Sequence, residues 1–279
     1  MSKLVSPYGS WKSPVTSNIV ASGVTRLGQI EIEGGDIYWS EMRPSEEGRY
    51  VIVKYSPDGE IIDVNPPPFN ARTRVHEYGG GAYKVNNDLV YFTDFKDQRV
   101  YQMKWGEKPW PITPKNALRY ADMVFDNHRG RVICVREDHR KQGEEAVNTI
   151  ISMDLNGKDV KKIVSGNDFY SSPRISPDGR QLAWITWNHP YMPWDKTELW
   201  IGKLSEDNSI EKPVWVAGEF EESVVQPLWS PDSVLYFVSD RNNWWNIYCW
   251  KDNEVTPVCL MEAEYATPPW VFAQSNYAF

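Results

Sequence analysis

Recognisable catalytic patterns are missing from this 279-residue chain: there is no Gly-x-Ser-x-Gly elbow, no His-Glu-x-x-His, no Cys-x-x-Cys and no phosphate-binding loop. Histidine is scarce, with four in all (His76, His128, His139 and His189), and they are scattered. Three fall in turns or loops, where a ring is ordinarily solvated. No nucleophile can be paired with a base, and no cofactor or metal ligand set emerges. Positive charge is also short. Thirty Lys and Arg against 38 Asp and Glu give a net charge of −8, which argues against nucleic acid as the main partner. No apolar run approaches a membrane span, and no stretch keeps a 3.6-residue period beyond a turn or two. The opening "MSKLVSPYGSWKSPV" is polar and broken by proline, unlike a secretory leader. Three cysteines (Cys134, Cys249, Cys259) are an odd number, and two fall in strand-like runs, which suits reduced thiols and a cytoplasmic location. Cys249 with Cys259 is the one pair that neighbouring strands could bring together.

What is present is turn and strand chemistry. Fourteen Trp, 15 Tyr, 20 Pro and 18 Gly suit short strands joined by tight turns. "SPRISPDGRQLAWITWN" (172–188) is echoed by "QPLWSPDSVLYFVSD" (226–240). In Ser176-Pro177-Asp178-Gly179, Pro pre-sets φ for the turn and Gly accepts a positive φ. Apolar runs flank both copies, and two further strand-like runs follow each. Four strands in about fifty residues, repeated, is the pattern of a propeller blade. The earlier units carry "RYADMVFDNHRGRVICVRED" (119–138), "GGGAYKVNNDLVYFTDF" (79–95) and "RLGQIEIEGGDIYWSEMRP" (26–44). The Ser-Pro-Asp-Gly at 56–59 sits between the third and fourth strands of its unit, as a plain hairpin turn.

The chain therefore reads as all-β, a β-propeller of four-stranded antiparallel blades. An extension (1–23) precedes blades at 24–74, 75–117, 118–167, 168–219 and 220–263. "ATPPWVFAQSNYAF" (266–279) opens an incomplete sixth unit (264–279), so the chain is expected to be a fragment of a longer protein. A propeller closes by packing its last blade on its first. An unclosed one is expected to be marginal, oligomeric or prone to aggregate.

"FNARTRVHEYGGGAY" (69–83) gathers Arg72, Arg74, His76, Glu77 and Tyr78 before three glycines, on the way into an innermost strand. Innermost strands line the central channel. One reading has Glu77, Tyr78 and the arginines Arg72 and Arg74 facing a ligand at the channel mouth. The other has the glycines letting inner strands crowd the axis, with Glu77 paired to an arginine between blades. Asp94 and Asp240 occupy the same slot, after the second strand, and are expected to accept backbone N–H groups at that turn.

The opening "PYGSWKSPVTSNIV" (7–20), "RVHEYGGGAY" (74–83), "VYFTDFKDQRVY" (90–101) and "SPDGRQLAWITWNHPYMPWDKTELW" (176–200) together resemble the N-terminal propeller of the prolyl oligopeptidase family of serine peptidases, on the acylaminoacyl-peptidase and dipeptidyl-aminopeptidase side. The resemblance implies a C-terminal α/β-hydrolase domain holding Ser, Asp and His as the propeller's partner. It also implies a propeller that admits only short peptides, some with blocked N-terminal residues, and an N-terminal segment lying against the hydrolase. None of those catalytic residues lies in this chain, which alone is expected to have no peptidase activity. Two alternatives stand beside this: a free-standing TolB-like propeller that binds a protein or peptide, and a lactonase-type propeller with acidic metal ligands around its axis.

Overall fold

The computed structural model describes residues 5–219 and 221–279. Twenty strands form five sheets, each a four-stranded antiparallel meander. Blade 1 holds β1 (Arg26–Glu33), β2 (Asp36–Arg43), β3 (Arg49–Tyr55) and β4 (Ile61–Asp63). Blade 2 holds β5 (Tyr83–Asn86), β6 (Leu89–Thr93), β7 (Val100–Lys104) and β8 (Trp110–Pro111). Blade 3 holds β9 (Leu118–Asp126), β10 (Arg131–Asp138), β11 (Val147–Asp154) and β12 (Lys161–Val164). Blade 4 holds β13 (Phe169–Ile175), β14 (Gln181–Trp187), β15 (Glu198–Leu204) and β16 (Ile210–Ala217). Blade 5 holds β17 (Val224–Trp229), β18 (Leu235–Ser239), β19 (Asn246–Lys251) and β20 (Glu254–Cys259). A six-residue helix, Ser17–Ser22, precedes them, capped by Thr16. Among the described residues no helix is long and apolar enough to cross a membrane.

The core is a set of seams rather than one centre. Tyr38 and Ile52 of blade 1 pack on Tyr83, Val90 and Phe92 of blade 2. Tyr91 and Val100 of blade 2 meet Tyr120, Val132 and Met153 of blade 3. Ile133 and Ile150 of blade 3 meet Leu182 and Trp184 of blade 4. Leu199 and Ile201 of blade 4 meet Leu235 and Phe237 of blade 5. Each sheet thus buries both faces only if it has a neighbour on each side. Among the described residues Ile30, Ile32, Tyr55 and Ile61 are exposed on the far face of blade 1.

The repeated turn works through its serine as well as its proline. Ser176 and Ser230 are buried, donate to Asp178 and Asp232 respectively, and accept the N–H of Gln181 and Val234. Gly179 takes φ +70°, and a Cβ there would run into the His128 ring of the preceding blade. The matching turn of that blade sends Arg129 across the same seam. Its guanidinium donates to the carbonyls of Gly179, Leu204 and Ser205 in blade 4 and to Asp126 in its own.

Asp94 and Asp240 do accept backbone N–H groups, but from the segment entering their own blade. Asn70 donates to Asp94 at 2.8 Å and Ser223 to Asp240 at 2.7 Å. Burial pushes both carboxyls up, and those N–H groups oppose the push. All three cysteines are free. Across β19 and β20, Cys249 faces Thr256 and Cys259 faces Ile247, so the register keeps the two thiols apart.

Gly81, Asp122, Ser172 and Gln226 all carry positive φ where the chain turns in toward the axis. At the last three of these a bulge breaks the inner strand. Ala273 repeats the conformation at φ 58°. Residues 264–279, expected to open a sixth unit, form no strand. They are held by individual hydrogen bonds to blades 2 and 5. Phe272 bridges Gly80 in parallel, and Gln226 binds Asn276 and Tyr277. Tyr265, Ala266 and Tyr277 also cover the outer face of blade 5.

Candidate functional site

The inner-strand bulges and the loops above them line a half-open cavity of about 740 Å³. Its wall is drawn from blades 2 to 5 and from the 269–276 segment. The glycine run lets the 269–276 segment close one side of it. A Cβ at Gly80, already at φ +86°, would sit 2.5 Å from the Phe272 carbonyl oxygen, so no other residue lets that segment lie so close. This is the crowding at the axis that one reading of the three glycines expected.

Immediately before the glycines, His76 and Glu77 both adopt positive φ, at 52° and 63°. Such strain in non-glycine residues persists only where surroundings enforce it. Here Glu137 enforces it. Its side chain, 6% exposed, accepts the His76 N–H at 2.6 Å, and Arg119 and His139 lie against its other oxygen. Arg119 also donates to the Arg74 carbonyl and, at 2.8 Å, to Glu77. Glu77 is left 75% exposed at the mouth. The Arg119 guanidinium holds its carboxyl below the usual carboxylate range, so it is ionised throughout the neutral region.

The structure therefore brings Glu77 and Tyr78 into the cavity wall and leaves Arg72 and Arg74 out of it. Arg72 lies over the rings of Tyr50 and Phe95, and Arg74 over Phe95. The arginine that meets Glu77 is Arg119, on β9 of the next blade. Nothing in its local sequence marks it.

Behind the mouth the wall is aromatic. Phe169 stacks on Trp187 with centroids 5.3 Å apart, and the His76 ring meets both edge-on and lies 4.8 Å from Phe272. A turn histidine was expected to be solvated. Instead this ring is enclosed by side chains of blade 4 and of the 264–279 segment. Burial pushes its pKa down to about 3, so it is neutral. Asn148 lies beside it and weakly favours its proton, but no hydrogen bond of ordinary geometry reaches Nε2. Among the described residues no three His, Cys, Asp or Glu side chains converge on a metal-sized site.

No family model matches the chain. Solved structures do. It is 35% identical to the puromycin-hydrolyzing peptidase of Mycobacterium tuberculosis, with a TM-score of 0.88, covering 97% of this chain and 44% of that one. A puromycin hydrolase is 34% identical, with a TM-score of 0.87, covering 95% of this chain and 44% of its own. Dipeptidyl-peptidase 5 of Schizosaccharomyces pombe is 22% identical over 119 residues, 42% of this chain and 17% of the relative. A putative TolB of Agrobacterium tumefaciens, 13% identical with a TM-score of 0.60 over 88% of this chain and 87% of its own, shares the fold alone. The chain spans less than half the length of the puromycin-hydrolysing peptidases, and within that span it corresponds to the N-terminal propeller of these prolyl oligopeptidase-family enzymes.

Proposed function

We propose that this chain is the non-catalytic, substrate-receiving propeller of a serine peptidase that acts on short peptides, with a C-terminal α/β-hydrolase domain as its partner. The observation that carries the reading is the cavity itself: half-open, aromatic behind, with an ionised Glu77 at its mouth. Pockets of a few hundred cubic ångströms with a few placed polar groups take small ligands. Glu77, with Tyr78 beside it, holds the amino end of the peptide. Arg119 and Glu137 fix the strained loop that presents it. The aromatic wall, formed in part by the 264–279 segment, restricts entry to short chains. The free thiols and the buried Cys134 suit the cytoplasm.

Trp187, Trp194 and Trp270 line the cavity, so a ligand there changes tryptophan emission. Puromycin titrated into the chain is expected to quench that emission saturably and to remain unhydrolysed. Glu77→Gln is expected to weaken the apparent Kd about tenfold, the worth of one charge-assisted hydrogen bond. An unchanged Kd in the variant, together with a lowered melting temperature, would assign Glu77 to the blade seam alone.

A further inference from the structure

Ile32, Ile37, Tyr55 and Ile61 stand in one cross-strand row, paired in turn across β1, β2, β3 and β4. Directly paired residues share a face of the sheet. The row therefore crosses blade 1 from its innermost strand to its outermost. Tyr38, next to Ile37 on β2, points the other way, into the seam with blade 2. Ile32 is 70% exposed and Ile61 63%. Leu27 and Ile30 extend the same apolar surface along β1. In blade 2 the equivalent face carries Tyr83, Val85, Val90 and Phe92, none more than 5% exposed, because blade 1 lies against it. An apolar surface of this extent left in water marks an interaction site.

The outer face of blade 5 is not open in the same way. Val225 and Val238 are buried there, under Tyr265, Ala266 and Tyr277. Among the described residues, blade 1 thus presents the one blade face without a cover. A chain with an open face at each end would stack head to tail without limit. A chain with one open face meets the same face of another copy, and that contact closes at two. The charges on this face permit such a meeting. Arg43 donates twice to Asp63 and also to Glu41 and Glu46, so these carboxylates already have their counter-charge. Two copies come together without setting unpaired like charges opposite each other.

We infer that the far face of blade 1 is a homodimer interface, in which the sheets of two chains pack face to face about a two-fold axis. Facing sheets lie about 10 Å apart, so the isoleucines of one copy fill the gaps of the other as side chains do in the seams. Strands about 4.8 Å apart that rise about 3.3 Å per residue give a face of roughly 19 by 25 Å. The two copies together then bury about 1,000 Å², the lower range of specific interfaces, and the dimer's Kd is on the order of micromolar. Blade 1 contributes nothing to the wall of the Glu77 cavity, so both cavities stay accessible in the dimer.

Sedimentation equilibrium of the chain from about 0.5 to about 100 µM brackets that Kd and tests the inference. The mean mass is expected to rise from 32.3 kDa toward twice that value and to stop there. Ile32→Glu, and separately Ile61→Lys, are expected to weaken association at least about tenfold, since each would bury an unpaired charge at the contact. Both side chains are exposed in the single chain, so the near-UV circular dichroism of the dilute variants should match that of the parent. Val258→Glu, an exposed position on the edge strand of blade 5, is expected to leave the equilibrium unchanged. Growth beyond a dimer overturns the inference, as does a dimer that survives both isoleucine substitutions or one that Val258→Glu abolishes. A monomer at every concentration also overturns it and leaves the face to a blade of a longer chain.

Discussion

Arg129→Ala is expected to destabilise the propeller by about 3–5 kcal/mol, the usual cost of removing one partner from a buried ion pair. The Arg129 and Asp126 side chains are 10% and 0% exposed, and they meet at 2.9 Å. Removing the guanidinium strands the Asp126 carboxylate, whose remaining donors are the backbone N–H groups of His128 and Arg129. It also leaves three carbonyls of blade 4 without their donor, so the loss falls on a seam between blades rather than on one turn. The measurement is the urea midpoint, read with the m-value unchanged. Adding Asp126→Asn to the alanine variant should recover part of the loss, because it removes the stranded charge. A shift below about 1 kcal/mol would mean that the pair behaves as a surface one.

Acid should weaken the fold through His76. The ring ordinarily titrates near 6.5, and burial lowers this to about 3 in the folded chain. Above pH 6.5 the ring is neutral in both states and contributes nothing to the pH dependence. Below it, the unfolded chain binds a proton that the folded chain refuses. Stability therefore falls as pH drops, by about 1.4 kcal/mol per unit until the folded value is reached. From pH 7.5 to 4.5 that amounts to about 2.7 kcal/mol. His76→Phe keeps an aromatic ring among Phe169, Trp187 and Phe272 and removes the titration. The difference between parent and variant unfolding free energies should shift by that amount over the range, since the carboxylates common to both cancel. Parallel curves would show that protonation of His76 is not resisted.

These two residues also show what the sequence could and could not disclose. The blades were legible because their signals are local. Alternating apolar runs, the Ser-Pro-Asp turn and a repeat near fifty residues need no knowledge of distant contacts. Arg129 was visible in the turn slot of its unit, but its acceptors lie more than forty residues on. They become neighbours only when blade 4 packs beside blade 3. His76 was read by the common habit of turn histidines. Its ring is enclosed by residues from blade 4 and from the 264–279 segment, and no property of "RVHEYGGG" carries that fact. Glu77 and Tyr78 stand in the cavity wall beside three successive glycines, which announce a close backbone approach, here to Phe272. Arg72 and Arg74 were drawn in with them by adjacency alone. Their guanidinium groups lie over Tyr50 and Phe95 instead.

The 264–279 segment lies between these cases. Its aromatic and apolar residues read as the start of a further unit, and Ala273 takes a positive φ like Asp122, Ser172 and Gln226. Strand pairing does not follow, because a strand is defined by its partner. In this position the segment seals blade 5 and supplies Trp270 and Phe272 to the cavity.

A crystal structure of the chain soaked with puromycin tests the central claim most directly. The account predicts density within the cavity, with the ligand's amino group in hydrogen-bonding distance of the Glu77 carboxylate. An empty cavity at a saturating concentration, or a ligand bound with its amino group turned away from Glu77, would contradict it.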